Sequence, residues 1–219
     1  MELVESISET IRERLLAEPL IWIPASLEEF WETIEAFEGQ PYDIEYINGE
    51  IRAKMSQASK NHELIVTNTI RVFGNLYLEN DDYLVYGSAR VVYIPECNDA
   101  YNPDITIVKG EDKLIKRQGR GKSAGLLNPF ILIEVQSDAT ENIDFGTKLK
   151  CYKKAPSVQY IVHISQYDQY VGIYSRQGTQ WIYEDYDSIE SLINIDGLAI
   201  SMKEIYRKVI FELKNKRPY

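Results

Sequence analysis

The segment 130–165 constrains the fold more than any other part of the chain, because two apolar stretches flank a stretch with helical spacing. A strand is predicted over residues 130–136, a helix over 144–154 and a second strand over 159–164. This order places the two strands side by side and parallel, joined by a right-handed crossover. The predicted fold class is α/β, bordering on α+β, with a mixed central sheet flanked by helices.

The remaining elements surround this unit. Residues 43–53 alternate polar and apolar side chains around Asn48-Gly49, which predicts a β-hairpin with a tight turn. Ser26 with Glu29 three residues later is typical of a helix N-terminus. Further helices are predicted over 1–18, 61–80 and 202–214, strands over 83–94 and 104–108, a loop over 109–128, and a hairpin through 170–174 and 180–183.

The chain has 219 residues, of which 44% are hydrophobic and 26% charged, as expected for a soluble globular protein. We divide it into an N-terminal helical extension, 1–24, and a single domain, 25–219, with its core at about 43–175. No signal-peptide pattern and no apolar run of membrane length is present, so the cytoplasm is the expected location. Cys97 and Cys151 are too few for a disulfide framework and receive no role.

The net charge of −10 opposes nucleic-acid binding, because attraction to phosphates supplies most of the non-specific binding energy. The charge is uneven, however, since residues 109–154 carry ten basic and six acidic side chains. Five cations and three glycines in the predicted loop suit a flexible phosphate clamp, although a plain solvated loop is the alternative. The five cations are Lys113, Lys116, Arg117, Arg120 and Lys122.

Two carboxylates belong to apolar strands. Asp104 follows Pro103 at the start of strand 104–108, and Glu134 lies inside strand 130–136. A carboxylate in such a strand loses hydration, which a cation, a positive side chain or a proton must replace. If the strands are neighbours, the two carboxylates with a backbone carbonyl and waters describe a Mg²⁺ site. Such a site can activate water and stabilise the charge that develops on a phosphodiester.

Strand and helix periodicity add a lysine to this pair. Glu134 and Gln136 share one face of their strand, at the end where the apolar run stops. On the following helix, Asp144, Lys148 and Tyr152 fall four residues apart and form one stripe. The crossover brings this helix back to the sheet, so Lys148 can reach the carboxylates and orient or deprotonate a water there.

The ordered set Pro103-Asp104, Glu134-Val135-Gln136-Ser137, Lys148 and Tyr152 resembles the PD-(D/E)XK nuclease superfamily. Within it, the chain looks like a large bacterial family of restriction-type endonucleases, and the resemblance covers about residues 25–175. Ile47-Asn48-Gly49-Glu50 is similar to the "DGE"-type turn of that family. His62 matches its histidine at the start of the next helix.

The resemblance implies a restriction-endonuclease-like fold and a metal site. Asp104, Glu134 and the carbonyl of Val135 would hold Mg²⁺, for which Mn²⁺ can substitute. The sequence departs from the superfamily at Gln136, where the pattern has lysine. In relatives that lack this lysine, one from the next helix can serve, and Lys148 fits that role, while Gln136 would position the attacking water.

Three further residues match family positions with less defined roles. Glu50, His62 and Tyr152 are accessory candidates, which would complete the site or help to bind a second metal. No organic cofactor and no membrane partner is expected.

The expected function is a Mg²⁺-dependent endonuclease acting on DNA, and cutting both strands favours a homodimer. The alternative is a catalytically inactive protein of the same fold that acts as a protein-binding or regulatory module. Four of the site residues also have a structural interpretation. Asp104 can be an ordinary turn residue after proline, and Glu134 can form a structural ion pair with Lys148 or Arg90. Lys148 can belong to a solvated face, and His62 can be a residue near a helix N-cap.

Overall fold

The computed structural model of the chain describes residues 2–56, 58–87, 90–115, 125–136 and 144–211. Its helices are α1 (Glu2–Arg14), α2 (Leu27–Ala36), α3 (Lys60–Leu76), α4 (Leu149–Tyr152) and α5 (Met202–Ile205), and a π-helical turn, Asp144–Lys148, leads into α4. Its strands are β1 (Leu20–Pro24), β2 (Tyr42–Ile47), β3 (Glu50–Met55), β4 (Tyr83–Gly87), β5 (Val92–Ile94), β6 (Asp99–Tyr101), β7 (Ile105–Lys109), β8 (Pro129–Gln136), β9 (Tyr160–Ser165), β10 (Val171–Gln177), β11 (Gln180–Tyr186), β12 (Leu192–Ile195) and β13 (Leu198–Ser201). Within these ranges, no helix is both long and apolar enough to cross a lipid bilayer.

A six-stranded mixed sheet forms the centre of the molecule, in the strand order β11-β10-β9-β8-β7-β4. Strands β8 and β9 are parallel, with Ile131 beside Tyr160 and Gln136 beside Ser165. The other neighbouring strands of this sheet pair antiparallel. The parallel pair predicted from residues 130–165 and the mixed α/β fold class are therefore confirmed.

The two faces of this sheet differ because side chains alternate along β8. Ile133 lies in an apolar cluster with Phe73 of α3 on one face. Leu132 lies in a separate cluster with Tyr152 of α4 on the other face. Glu134 follows Leu132 by two residues, so its side chain is directed to the face that α4 covers.

A second, five-stranded sheet has the order β1-β3-β2-β6-β5. Its β2–β3 hairpin is the one predicted at 43–53, and both turn residues have positive φ, 53° at Asn48 and 85° at Gly49. The N-terminus of α2 is also confirmed, because Ser26 and Glu29 form a reciprocal capping box. The two-residue turn fixes the register, which places Glu45 opposite Arg52.

The Gly49 position predicts a specific energetic cost. Replacing Gly49 with alanine should destabilise the protein by about 1–2 kcal/mol, because a side chain is disfavoured at its positive φ even though nothing lies within 4 Å of the added Cβ. Gly74 in α3 is the matched control, since its Cβ would also meet open space in ordinary helical backbone. Gly74→Ala should stabilise by about 0.5–1 kcal/mol. Urea denaturation measures both, and equal effects of the two changes would contradict the turn assignment.

The N-terminal part differs from the sequence prediction in detail. The sequence predicts a helix over 1–18 within an N-terminal helical extension of residues 1–24. Helix α1 ends at Arg14, and Leu20–Pro24 form a strand, β1, which pairs antiparallel with β3. This strand therefore contributes an edge of the five-stranded sheet. The predicted strand region 83–94 is two strands, β4 and β5, which belong to different sheets. The domain boundary at residue 24 stays a prediction.

The predicted helix over 202–214 is wrong in its extent, because helix α5 ends at Ile205. Asn68 of α3 donates hydrogen bonds from Nδ2 to the carbonyls of Ile205 and Arg207, at 3.0 and 2.8 Å. These carbonyls would otherwise accept from the next helical turn. Lys208 then has a positive φ of 63°, which ends the helical path. Residues 212–214 lie outside the described part of the chain.

The cysteines, which the sequence left without a role, are bonded to each other. Cys97 in the β5–β6 turn and Cys151 in α4 form a disulfide with a Cα–Cα distance of 5.9 Å. The chain brings them together over a separation of 54 residues. Their contact depends on the packing of α4 against the five-stranded sheet, which the spacing of two cysteines does not reveal.

Candidate functional site

Asp104 and Glu134 lie across from each other on neighbouring strands. Ile105 pairs with Ile133 in the antiparallel β7–β8 register, so the preceding residue, Asp104, lies opposite Glu134. The N–H of Val135 donates to Asp104 Oδ2 at 2.7 Å, which fixes the Asp104 side chain against β8. Glu134 is 4% exposed and the Asp104 side chain 18%. The structure thus brings the two predicted carboxylates to one edge of the sheet, where Asp104 retains contact with solvent.

Lys148 reaches this pair from the turn before α4. Its Nζ lies 2.9 Å from Glu134 Oε1 and also 2.9 Å from Glu45 Oε1. All three side chains are buried. A buried ammonium between two buried carboxylates replaces the hydration that each ion has lost. Lys148 is therefore not part of a solvated face.

Glu45 and Arg52 extend the cluster and were missed by the sequence analysis. Arg52 Nη1 lies 2.9 Å from Glu45 Oε2, and both side chains are almost fully buried. Burial alone would raise the pKa of Glu45, but the charges of Lys148 and Arg52 outweigh it and hold this pKa below its ordinary value. A signal was available, because the Asn-Gly turn pairs Glu45 with Arg52 across the hairpin, and opposite charges at paired positions interact.

Tyr152 contacts the same carboxylate oxygen of Glu134 as Lys148 does. Its hydroxyl donates to Glu134 Oε1 at 2.7 Å. Burial, followed by the negative charge of Glu134, raises the pKa of Tyr152 well above its ordinary value, so the hydroxyl keeps its proton and remains a donor. The Tyr152 ring meets the ring of Tyr101 edge-on, with centroids 5.4 Å apart. Tyr152 thus both packs and orients a carboxylate.

His62 contacts Asp104 from the first turn of α3. Its Nε2 lies 3.2 Å from Asp104 Oδ1, and its backbone N–H donates to the N-cap residue Ser59. Burial alone would lower the pKa of His62, but the hydrogen bond to Asp104 and the charge of that carboxylate outweigh burial, so this pKa lies above its ordinary value. The N-cap interpretation and the site interpretation therefore describe the same residue.

Gln136 ends β8 in a buried position, where the superfamily pattern has lysine. Its backbone carbonyl accepts from Gln166 Nε2 at 2.7 Å. Within the described residues, its own side-chain Nε2 is buried and has no hydrogen-bond partner. Such an amide costs free energy unless a ligand or water accepts from it. Gln136 therefore has a donor to offer to a molecule that enters the site.

Two predicted residues in the described part of the chain, Glu50 and Lys113, make no hydrogen bond or ion pair with this cluster. Glu50 lies at the turn end of the hairpin, and among the described residues no hydrogen bond or ion pair joins it to the carboxylates. Lys113 begins the basic loop, where its N–H donates to Asn128 Oδ1 at 2.7 Å. The other predicted phosphate-binding cations lie outside the described residues; they are Lys116, Arg117, Arg120 and Lys122.

Comparison with known proteins decides the family. Residues 27–203 match the family described as "Uma2: Putative restriction endonuclease". The chain belongs to the Uma2 family. Two uncharacterized proteins of Synechocystis sp. are similar to this Uma2 protein. One is 26% identical over 169 residues, 76% of this chain and 85% of the relative, and the other is 27% identical over 139 residues, 63% and 75%.

A solved structure shares the fold. The crystal structure of a protein from Anabaena variabilis, described as a "putative nuclease", matches with a TM-score of 0.57 and 21% identity, over 74% of this chain and 89% of the other. At this identity the match shows the fold alone. With the family match it places the Uma2 protein in the restriction-endonuclease-like superfamily, which confirms the resemblance found in the sequence.

The superfamily is generally metal-dependent, and the donor set here fits a hard divalent cation. Asp104 and Glu134 are carboxylates on adjacent strands, the ligand type that Mg²⁺ prefers. Asp104 faces solvent in part, which leaves room for the waters that Mg²⁺ usually retains. The contacts from Val135 and His62 each involve one Asp104 oxygen, and a carboxylate oxygen can accept more than one partner. The donor set therefore fits a hard divalent cation.

Proposed function

We propose that this Uma2 protein is a Mg²⁺-dependent endonuclease that hydrolyses phosphodiester bonds in DNA. The observation that carries the proposal is Asp104 opposite Glu134, with the Lys148 ammonium 2.9 Å from the Glu134 carboxylate. Phosphodiester hydrolysis requires an activated water and positive charge near the phosphorus. Two carboxylates and a lysine provide for both, and membership of the Uma2 family supports the same chemistry.

Asp104, Glu134 and the carbonyl of Val135 would hold the metal. When bound, Mg²⁺ supplies a Lewis acid that polarises the phosphate and lowers the pKa of a bound water. The protein has already fixed both carboxylates, Asp104 through Val135 and His62, and Glu134 through Tyr152. Ligands held in this way lose little conformational freedom when the metal binds.

Lys148 and Gln136 would act on the water and the phosphate. The Lys148 ammonium can orient the attacking water or offset the charge that builds on the phosphate oxygens. The buried Nε2 of Gln136 can donate a hydrogen bond to that water, which would satisfy the amide. The two residues together would replace the single lysine of the superfamily pattern.

Tyr152 should affect the cleavage rate because its hydroxyl orients the Glu134 carboxylate. Tyr152→Phe removes the hydroxyl that donates to Glu134 Oε1 and should slow cleavage by about 10–100-fold, the effect typical of residues that orient metal ligands. Tyr46→Phe is the matched control, because this buried hydroxyl donates to the carbonyl of Ala25, in the N-terminal part of the protein. Initial cleavage rates of the two variants measure the difference, and equal rates would exclude an orienting role for Tyr152.

The basic loop would contact the phosphate backbone. Replacing its five cations with alanine should make DNA binding less salt-dependent, lowering the slope of log K against log salt by up to about 4 to 5. The replaced residues are Lys113, Lys116, Arg117, Arg120 and Lys122. Fluorescence anisotropy at several salt concentrations measures the slope. Five exposed or partly exposed cations elsewhere form the control set: Arg12, Arg14, Lys203, Arg207 and Lys208. If both sets change the slope equally, the loop is not the DNA contact.

The test of the proposed function is cleavage of one sequence in three forms, duplex DNA, single-stranded DNA and RNA, with Mg²⁺, Mn²⁺ or a chelator. We expect metal-dependent cleavage of duplex DNA within the strand. Paired nicks on the two strands would support action as a homodimer. Cleavage of RNA alone would contradict the proposed substrate.

A non-catalytic binding module is the second candidate, because Gln136 replaces the usual lysine and the net charge is −10. Calorimetric titration with Mn²⁺ separates the two candidates. An endonuclease should bind the metal and lose affinity in Glu134→Ala. Absence of metal binding in the wild type would favour the module.

A further inference from the structure

The Cys97–Cys151 disulfide lies directly beside the candidate site. Cys151 belongs to α4, three residues after Lys148 and next to Tyr152. Lys148 and Tyr152 both contact Glu134. The bond therefore holds the helical segment that carries two of the residues assembled around the Glu134 carboxylate.

The other end of the bond is also connected to the site. Cys97 is two residues from Asp99, whose Oδ2 accepts from the Tyr101 hydroxyl at 2.8 Å and whose Oδ1 accepts from the N–H of Asn48, also at 2.8 Å. Tyr101 in turn packs edge-on against Tyr152. The disulfide and this aromatic contact are two links between α4 and the β5–β6 hairpin, one from its turn and one from β6. Loss of the disulfide leaves the aromatic contact, so the segments can loosen without unfolding.

We propose that Cys97 and Cys151 form a reversible dithiol–disulfide site that controls the order of α4, and through it the position of Lys148 and Tyr152. The site would take a hydroperoxide as oxidant and a dithiol as reductant. Cys151 is buried and Cys97 is half-buried, so the Cys97 sulfur is the more accessible point of attack. The effect on cleavage rests on the proposed function, whereas the thiol chemistry and the order of α4 do not.

Oxidation and reduction of the Cys97–Cys151 pair each transfer two electrons. On oxidation, the Cys97 thiolate attacks the terminal oxygen of the hydroperoxide and the O–O bond breaks. The alkoxide leaves and is protonated to an alcohol, and Cys97 becomes a sulfenic acid. The Cys151 thiolate then displaces the hydroxyl group, which leaves as water after protonation, and the S–S bond forms. On reduction, a thiolate of the dithiol attacks the Cys97 sulfur and releases Cys151. The second thiol of the reductant displaces Cys97, so two electrons and two protons pass to the protein.

A metal site is the competing interpretation of the same residues. The sulfurs of Cys97 and Cys151 and a carboxylate oxygen of Asp99 lie within 4.8 Å of one another. Both Asp99 oxygens, however, already accept hydrogen bonds, from Asn48 and Tyr101. The two sulfurs are bonded to each other, and a disulfide sulfur is a poor ligand compared with a thiolate. The geometry therefore favours the disulfide.

The experiment compares the full-length protein after equilibration with oxidised or reduced dithiothreitol. Alkylation followed by mass spectrometry should find two reactive thiols after reduction and none after oxidation, reversibly. Opening a loop of 54 residues should lower the melting temperature by roughly 10 °C. Amides of residues 149–155 should exchange with deuterium at least about tenfold faster after reduction, while those of α3 should not change.

A cysteine variant and a zinc-binding measurement provide further tests of the disulfide site. In Cys97→Ser, the amides of residues 149–155 should exchange at the rate of the reduced wild type under both conditions. If this variant folds poorly, the comparison of oxidised with reduced wild type tests the proposal by itself. Equal exchange in oxidised and reduced wild type would overturn the proposal. Uptake of one Zn²⁺ by the reduced protein, with protection of both thiols, would also overturn it in favour of a metal site.

Plasmid cleavage by the same two samples links the site to function. Reduction should slow cleavage by roughly 10–100-fold, because small displacements of reacting groups have effects of this size. If amide exchange in α4 depends on the redox state but neither sample cleaves the plasmid, the proposed endonuclease function is overturned while the thiol site is supported. Equal cleavage by both samples would overturn the control of the site by the disulfide.

Discussion

Replacing Lys148 with methionine should lower the free energy of unfolding by about 3–5 kcal/mol and abolish cleavage. The change removes the ammonium that lies 2.9 Å from both Glu45 and Glu134, and it leaves these two carboxylates buried without their shared cation. Methionine has a similar length and retains the apolar contacts of the lysine stem. Urea denaturation followed by circular dichroism measures the loss of stability.

A double variant separates stability from catalysis. Adding Glu134→Gln to Lys148→Met removes the carboxylate that has lost its cation, while Glu45 keeps its ion pair with Arg52, and should restore most of the lost stability. Cleavage should remain absent, because neither the cation nor the carboxylate of the candidate site is restored. If Lys148→Met is as stable as the wild type, the buried charge cluster is not held together as described.

Asp104→Ala should reduce metal-dependent cleavage by at least about 10³-fold while the protein remains folded. Asp104 is partly exposed, and its removal costs the hydrogen bonds from Val135 and His62, about 1–2 kcal/mol. The measurement is the single-turnover rate on plasmid DNA, together with the thermal melting curve of the variant.

The matched control is Asp82→Ala. Asp82 precedes Tyr83, which pairs with Lys109 at one end of the β4–β7 strand pair. Asp104 lies at the other end of this pair, before Ile105. This exposed aspartate carries the same charge, so its removal tests whether cleavage responds to net charge alone. Retained cleavage in Asp104→Ala, or equal loss in both variants, would refute the assignment of Asp104 as a metal ligand.

The central part of the fold was accessible from the sequence because it depends on local periodicity. Apolar stretches at 130–136 and 159–164 with a helix between them specify a parallel pair, which β8 and β9 form. The Asn48-Gly49 turn likewise specifies a two-residue hairpin and its register. Each of these elements is determined by residues close to one another in the chain.

The pairing of Asp104 with Glu134 needed one additional assumption, that their strands are neighbours. The β7–β8 register supplies it and places the two residues opposite each other. Lys148 was predicted to reach the same pair from the following helix, and the structure places it there. Their roles in metal binding and catalysis stay predictions until the variants are measured.

Residues that meet through tertiary packing were missed. Glu45 belongs to a hairpin more than 100 residues before Lys148, and the contact arises only when the five-stranded sheet packs beside α4. The Cys97–Cys151 bond depends on the same packing. The end of α5 depends on Asn68, a distant residue that binds its terminal carbonyls. Local patterns carry no information on such partners.

The most direct test of the account is nicking of supercoiled plasmid by wild type and by Glu134→Gln, each with Mg²⁺ and with chelator. Glutamine keeps the size of the side chain and can still accept from Tyr152, but it lacks the negative charge that would hold the metal. We predict nicking by the wild type with Mg²⁺ and no nicking in the other three reactions. Equal nicking by Glu134→Gln, or nicking that persists in chelator, would contradict a metal-dependent site at Glu134.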